Sequence, residues 1–87
     1  MTVGTMVRLK IPMLGNPIGT VGVGFNDYGD GCQFIFENGE YDGFSKEEQE
    51  DMLEKIGESG IGYSFRNVMQ VSRDFENGYW DIVFGRK

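Results

Sequence analysis

The chain has 87 residues with one cysteine and no histidine, and its formal net charge at pH 7 is −6. A chain of this length predicts one domain, residues 1–87, and excludes separate cofactor and substrate domains. The absence of histidine excludes a Ser-His-Asp triad and histidine metal ligands. We therefore expect no enzyme activity, no cofactor and no metal site.

The negative charge is concentrated in the middle of the chain. Residues 27–58 carry eleven acidic residues against two lysines, which gives −9, whereas residues 1–26 carry +2 and residues 59–87 carry +1. Direct binding of nucleic acid requires clustered Lys and Arg, so it is not expected. An acidic segment fits a basic protein partner, or it serves solubility alone.

Cysteine usage and hydropathy bear on the location of the protein. Cys32 has no second cysteine to pair with, which favours a reducing environment. Arg8 and Lys10 interrupt the apolar residues near the start, so a signal peptide is not expected. No stretch approaches the roughly 18 apolar residues of a membrane span. We expect a cytoplasmic protein that does not bind membranes.

The first half of the chain predicts strands. Residues 6–13 alternate between apolar and polar positions, as a half-buried strand does. Residues 18–25 predict a second strand in which Gly22 and Gly24 share one face. Glycine is rare inside strands, so we expect a backbone or an aromatic ring to pack flat there, or the strand to bend sharply. The alternative is a ligand lying against the flat face.

The next segments predict a hairpin. A loop over residues 26–31 leads to a strand over residues 32–37, in which Cys32 faces the same way as two phenylalanines. Asn38-Gly39 then predicts a type I′ turn, because both residues tolerate positive φ. The return strand covers residues 40–44.

The second half predicts one helix and a last hairpin. Ser45 and Glu48 form a capping-box pattern, and the helix is predicted over about 45–56. Residues 68–75 and 79–84 each alternate like strands around Asn77-Gly78, a second hairpin signal. Phe-Glu-Asn-Gly thus occurs twice, which we interpret as convergence on one turn and not as a repeat.

Three short motifs carry a family resemblance: residues 7–10, residues 15–22 with Gly-Thr-Val-Gly, and residues 34–39 with their Glu-Asn-Gly turn. Over residues 6–42 the chain resembles SH3-like barrels of the KOW and Tudor kind. The predicted fold is mainly β, α+β by content. We expect a small SH3-like barrel, or a strongly bent antiparallel sheet of five to six strands, with the helix before the last hairpin.

Several catalytic and metal-binding patterns are incomplete in this sequence. The glycine-rich residues 15–24 lack the lysine and the helix of a phosphate-binding loop. Residues 26–37 match an EF-hand loop only in part, because Tyr28 stands where an oxygen ligand is needed. A weak cation at Asp27 and Asp30 stays open. Cys32 is interpreted as a buried, unreactive thiol.

Binding residues are easier to nominate, because Tyr and Trp often anchor protein interfaces. In SH3-like barrels, aromatic side chains near loop tips line the ligand groove, and the resemblance carries this role to loop positions here. For Trp80 the alternative is that it fills the core with Ile82 and Phe84. The nominated binding residues are Asp27, Tyr28, Asp30, Tyr41 and Trp80.

Two hypotheses of function follow. The first is a non-enzymatic, acidic protein-interaction module that binds a protein partner through loop aromatics and an acidic rim. The alternative is an acidic inhibitor of phage or mobile-element type, which mimics nucleic acid and blocks a basic cleft. Pairing through an uncovered sheet edge would also allow a homodimer. The acidic face of the alternative comprises Glu47, Glu50, Asp51 and Glu54.

Overall fold

The structure, a computed structural model, describes residues 1–86, which contain five strands and three helices. In chain order they are β1 (Thr5–Leu9), β2 (Val21–Asp27), β3 (Gly31–Phe36), β4 (Tyr41–Ser45), α1 (Lys46–Met52), β5 (Leu53–Glu58), α2 (Val68–Glu76) and α3 (Tyr79–Phe84). The strands form one antiparallel sheet in the order β4-β3-β2-β1-β5. The molecule is a small α+β domain whose sheet is not closed into a barrel, because β4 and β5 are its two edges.

Both faces of the central strands β2 and β3 are buried. Phe34 and Phe36 point to one face and Ile35 points to the other, as alternation along a strand requires. The first core lies between the sheet and α1, and its buried members are Val7, Leu9, Cys32, Phe34, Phe36, Phe44 and Leu53. The second core lies between the sheet and the C-terminal helices, and its buried members are Val23, Phe25, Ile35, Val71 and Trp80.

The alternating glycines of β2 let the first core pack tightly. A Cβ atom on Gly22 would lie 2.5 Å from the Phe36 ring, and one on Gly24 would lie 2.6 Å from the Thr2 carbonyl oxygen. An aromatic ring and a backbone therefore both pack flat on this strand. The pairing of β2 with β3 also shifts register between Gly24 and Asn26, which is the geometry of a β-bulge.

The prediction of a helix over 45–56 is wrong in its second half. The capping box is present: the Ser45 hydroxyl accepts from the Glu48 N–H, and the Glu48 carboxylate accepts from the Ser45 N–H. The helix nevertheless ends at Met52, and residues 53–58 form β5. Leu53 pairs with Leu9 and is buried in the first core, so sheet pairing outweighs local helix propensity.

The prediction of a last hairpin is also wrong, and with it the prediction of a single helix. Residues 68–76 and 79–84 are helices, and Asn77-Gly78 joins them. Valine and phenylalanine at 68, 71 and 75 fit the 3.6-residue period as well as a strand pattern fits the same segment. The Asn67 side chain accepts a hydrogen bond from the Gln70 N–H. This N-cap stabilises α2 and favours the helix over a strand in this segment.

No helix within residues 1–86 has the length and apolar character that a membrane crossing requires.

Candidate functional site

Tyr28 is the large aromatic side chain that the sheet presents at its β2–β3 turn. It is 49 % exposed. A Cβ atom on Gly31 would lie 2.7 Å from the Tyr28 hydroxyl, and one on Gly43 would lie 3.0 Å from it. The Tyr28 side chain therefore lies across β3 and β4, where only glycines leave room for it. One side of it is supported by the sheet and the other faces solvent.

Negative charges act on this tyrosine. Partial burial is the largest cause that raises the pKa of Tyr28, and the negative charges of Cys32, Glu48, Asp42 and Asp30, in that order, raise it further. All three acidic residues are exposed. We call Tyr28 with these three carboxylates the Tyr28 patch. Its electrostatic field disfavours added negative charge and favours a cation.

The polar contacts of the turn hold this arrangement. Asp27 accepts the Gly29 N–H at 3.0 Å through its Oδ1 atom, so its role is to shape the turn that carries Tyr28. Asp42 accepts the N–H of the adjacent Gly43 at 2.8 Å. Sequence reasoning nominated Asp27, Tyr28 and Asp30 but missed Asp42 and Glu48. The pairing of Gly31 with Ser45 across the hairpin is what brings residues 42–48 beside the turn.

Tyr41 and Trp80 lie away from the Tyr28 patch. Trp80 is fully buried in the second core, where its Nε1 donates to the Val71 carbonyl at 3.1 Å, so it has no surface to offer a partner. Ile82, in contrast, is 68 % exposed and does not share that core position. Tyr41 is half-buried and packs edge-on against Phe25, with ring centroids 6.1 Å apart.

A groove of about 310 Å³ runs between β4 and α2. Tyr41 forms its sheet side, and five residues of α2 form the other side. Met69 is the more exposed of the two apolar residues on the helix side, at 69 %. The groove has a mixed character, since Arg73 and Glu76 bring opposite charges to it. The α2 residues that line it are Val68, Met69, Ser72, Arg73 and Glu76.

The four residues of the nominated acidic face are exposed but do not share one helix. Because α1 ends at Met52, Glu54 belongs to β5. Basic residues border this face: the Lys10 ammonium donates to the Glu50 carbonyl at 2.6 Å, and Arg8 lies opposite Glu54 in the β1–β5 pairing. Positive charges therefore border the acidic face, and its edge is not purely negative. The remaining two of its acids, Glu47 and Asp51, lie on α1.

Cys32 is fully buried in the first core. Burial raises the pKa of its thiol to about 11, and the negative charge of Asp27 adds to the effect. A thiolate nucleophile is therefore scarce at neutral pH. Within residues 1–86, no group of three or more Cys, Asp or Glu side chains is arranged to hold a metal ion.

Comparison with protein-family models, with curated proteins and with solved structures finds no significant match to the chain. Function is therefore inferred from the residues of the site.

Proposed function

We propose that the chain is a non-enzymatic protein-interaction module that binds a basic segment of a partner protein at the Tyr28 patch. The observation that carries this proposal is the half-exposed Tyr28 side chain, which lies on Gly31 and Gly43, and whose pKa is raised in part by the charges of Asp30, Asp42 and Glu48. The glycines hold the tyrosine close to the sheet, so little conformational entropy is lost when a partner packs against it.

A lysine or arginine side chain matches this chemistry. A cation over an aromatic ring gains about 0.5–2 kcal/mol, depending on how much water is removed. The surrounding carboxylates add attraction and raise the rate of encounter with a basic partner. The net charge of −6 acts in the same direction over longer distances. An acidic partner or a nucleic-acid backbone would be repelled both by the carboxylates of the Tyr28 patch and by the net negative charge of the chain.

The strand order and the bends of the sheet bear on its fold class. We propose that the bent sheet is of the SH3-like class, with the strand order β4-β3-β2-β1-β5 and the short helix α1 between the two edge strands in support. The bulges in β1–β5 and β2–β3 pairing supply the bends that a small barrel needs. Nuclear Overhauser contacts between β4 and β5, measured in solution, would test whether the edges approach each other.

The test of function is an NMR titration of the full chain with short peptides that carry a central arginine or lysine in an otherwise neutral sequence. We expect chemical-shift changes centred on Tyr28, Gly31 and Gly43. Tyr28→Ala should abolish them, because it removes the ring on which the cation rests. Tyr28→Phe should retain most of the binding, because the ring face remains.

The control variant is Glu47→Lys with Glu50→Lys, which changes charge on α1 and leaves the Tyr28 patch intact. Under the proposal this variant binds the peptides with slightly lower affinity, through the long-range field alone. If the shifts centre on α1 and β5, and the control variant abolishes them while Tyr28→Ala does not, the acidic-inhibitor hypothesis replaces the proposal. If no shifts occur at any peptide concentration, the proposal is overturned.

A further inference from the structure

The chain contains two Asn-Gly pairs in the same local sequence, Phe-Glu-Asn-Gly, at residues 36–39 and 75–78. Asparagine is a chemically labile residue, and it loses its side-chain amide most readily before glycine, because no side chain shields the glycine nitrogen from the asparagine Cγ atom. The other three asparagines precede different residues: Asn16 precedes a proline, Asn26 an aspartate and Asn67 a valine. The local sequence therefore gives the two Asn-Gly pairs similar reactivity.

Three hydrogen bonds hold the Asn38 side chain in the folded protein. Its Oδ1 atom accepts the Asn16 amide at 3.1 Å and the Glu40 N–H at 3.0 Å. Its Nδ2 atom donates to the Leu14 carbonyl at 2.9 Å. Loss of the amide requires the Cγ atom to come within bonding distance of the next backbone nitrogen, so the Asn38 side chain must first leave these partners.

The Asn77 side chain has no such restraint. It is exposed, and within residues 1–86 it makes no hydrogen bond. Asn38 is exposed as well, so access of water does not distinguish the two asparagines. The hydrogen bonds of the side chain do.

The glycines of the two pairs differ in the same direction. The Gly39 N–H donates to the Phe36 carbonyl at 2.8 Å, and a Cβ atom on Gly39 would lie 2.9 Å from the Phe75 ring. The Gly78 N–H makes a longer bond, 3.2 Å, to the Phe75 carbonyl, and a Cβ atom on Gly78 would meet no heavy atom of residues 1–86 within 4 Å. The backbone around Gly78 therefore has more room to rotate toward the asparagine side chain.

From these observations we propose that Asn77 is a site of spontaneous deamidation, whereas the fold protects Asn38. Hydroxide removes the proton of the Gly78 N–H, and the nitrogen attacks the Asn77 Cγ atom. A new C–N bond closes a cyclic imide, the bond from Cγ to Nδ2 breaks, and the leaving nitrogen takes a proton from water and departs as ammonia, which regenerates hydroxide. One water molecule then opens the imide to aspartate or isoaspartate.

This modification goes beyond the proposed function, since it does not involve the Tyr28 patch. Its product carries one more negative charge than the formal −6 of the unmodified chain. The added carboxylate lies at the C-terminal end of α2, beside Glu76, where the helix dipole disfavours it. Ion-exchange chromatography should therefore separate the product as a more acidic species.

The test incubates the full-length protein at mildly alkaline pH and measures deamidation by peptide mass spectrometry. Trypsin cleaves after Lys and Arg, so Asn77 is recovered in the peptide 74–86 and Asn38 in the peptide 11–46. Fragmentation identifies which asparagine has become an acid, and a sample taken before incubation corrects for the digestion. We expect Asn77 to deamidate about tenfold faster than Asn38 in the folded protein, because the hydrogen bonds of Asn38 must break first.

Two controls separate the effect of the fold from that of the local sequence. Asn77→Gln should remove the signal from the peptide 74–86, because the longer side chain closes the imide ring far more slowly. In urea, where both pairs are unfolded, the two rates should agree within about twofold. Equal rates in the folded protein, or a faster Asn38, would overturn the proposal. So would protection of both asparagines in the folded protein, or an Asn77 that is about tenfold faster in urea as well, because the difference would then belong to the local sequence.

Discussion

At the scale of single residues, the space around each glycine shows whether the position tolerates a side chain, which the sequence alone does not. Gly22 and Gly57 both lie in strands, and the sequence alone does not rank them. The structure separates them, since a Cβ on Gly22 would meet Phe36 at 2.5 Å, whereas a Cβ on Gly57 would have no heavy atom of residues 1–86 within 4 Å. A position of the first kind tolerates no side chain, and a position of the second kind does.

Gly22→Ala is therefore expected to destabilise the protein by about 1–3 kcal/mol, the usual cost of overpacking a core. Gly57→Ala is the matched control and should leave stability unchanged or raise it slightly, since alanine reduces the entropy of the unfolded chain. Urea unfolding followed by far-UV circular dichroism measures both. Equal losses for the two variants would contradict the close packing of Phe36 on β2.

Cys32 provides a second prediction at this scale. Its folded-state pKa, about 11, lies above the ordinary value of 9.0, so its contribution to stability is present below pH 9 and is lost as the pH rises to 11. The difference in unfolding free energy between wild type and Cys32→Ala should shrink over that interval, by up to about 3 kcal/mol. Parallel pH profiles for the two proteins would show that the thiol titrates normally.

At the scale of elements, the same tetrapeptide has two structures. Phe-Glu-Asn-Gly at 36–39 closes the β3–β4 hairpin, and at 75–78 it joins α2 to α3. The glycine is left-handed in both places, with φ of 88° at Gly39 and 86° at Gly78. The prediction of a type I′ turn at Asn38-Gly39 is wrong, because Asn38 does not have a positive φ, but Asn-Gly does mark a turn at both places. What lies on either side of a reversal is decided by the flanking residues and by the surface they pack on.

The two asparagines should respond differently to substitution. The Asn38 side chain binds the Glu40 N–H, the Asn16 amide and the Leu14 carbonyl, and so ties the β1–β2 loop to the hairpin. Asn38→Ala should cost about 2 kcal/mol, because Leu14 is also held at a positive φ of 52° in that loop.

Asn77→Ala is the control for this substitution. Within residues 1–86 the Asn77 side chain makes no hydrogen bond, and its backbone φ is −84°, which alanine adopts readily. Its effect should stay within about 0.5 kcal/mol, the range typical of a surface substitution. Thermal unfolding of both variants would check the pair, and a larger loss for Asn77→Ala would show that the helix junction depends on this side chain.

The sequence therefore predicts the first half of the fold well and the second half poorly, for a physical reason. Residues 18–44 alternate between apolar and polar positions and are bounded by turn residues, so the strand period and the turn positions indicate the same strands. Residues 68–75 satisfy both a strand and a helix period, and residues 53–58 continue a helical composition but are needed as the neighbour of β1. Of the candidate site, Tyr28 and Asp30 can be predicted from the composition of the loop that contains them. Asp42 and Glu48 cannot, because the pairing of β3 with β4 is what brings them near that loop.

At the scale of the whole molecule, each core contains one natural probe. Cys32 lies in the first core and Trp80, the only tryptophan, lies in the second. The first core is closed by α1, which is continuous with β4 and β5 and accepts a backbone hydrogen bond at the Met52 carbonyl from the Lys10 N–H. The second is closed by residues 62–86, which, within residues 1–86, share no backbone hydrogen bond with the sheet. The two cores are therefore expected to differ in how readily they open.

We expect Trp80 fluorescence to change at lower urea than the reactivity of Cys32 toward a thiol reagent. Opening of residues 62–86 would expose the indole while the strands around the thiol stay paired. The comparison is internal to one protein and needs no substitution. Transitions that coincide would mean that both cores unfold together as one cooperative unit.

Burial of β2 and β3 on both faces has a consequence for strand alignment. In a sheet with one wet face, slipping a strand by one residue moves its apolar side chains into water, and that penalty sets the pairing. Here the penalty is weak for β2 and β3, since both faces are apolar. Steric shape determines the alignment instead, because a slipped β3 would remove Phe36 from Gly22 and set its bulk against a valine. The glycines of β2 thus leave room for the rings of β3 in one alignment of the two strands.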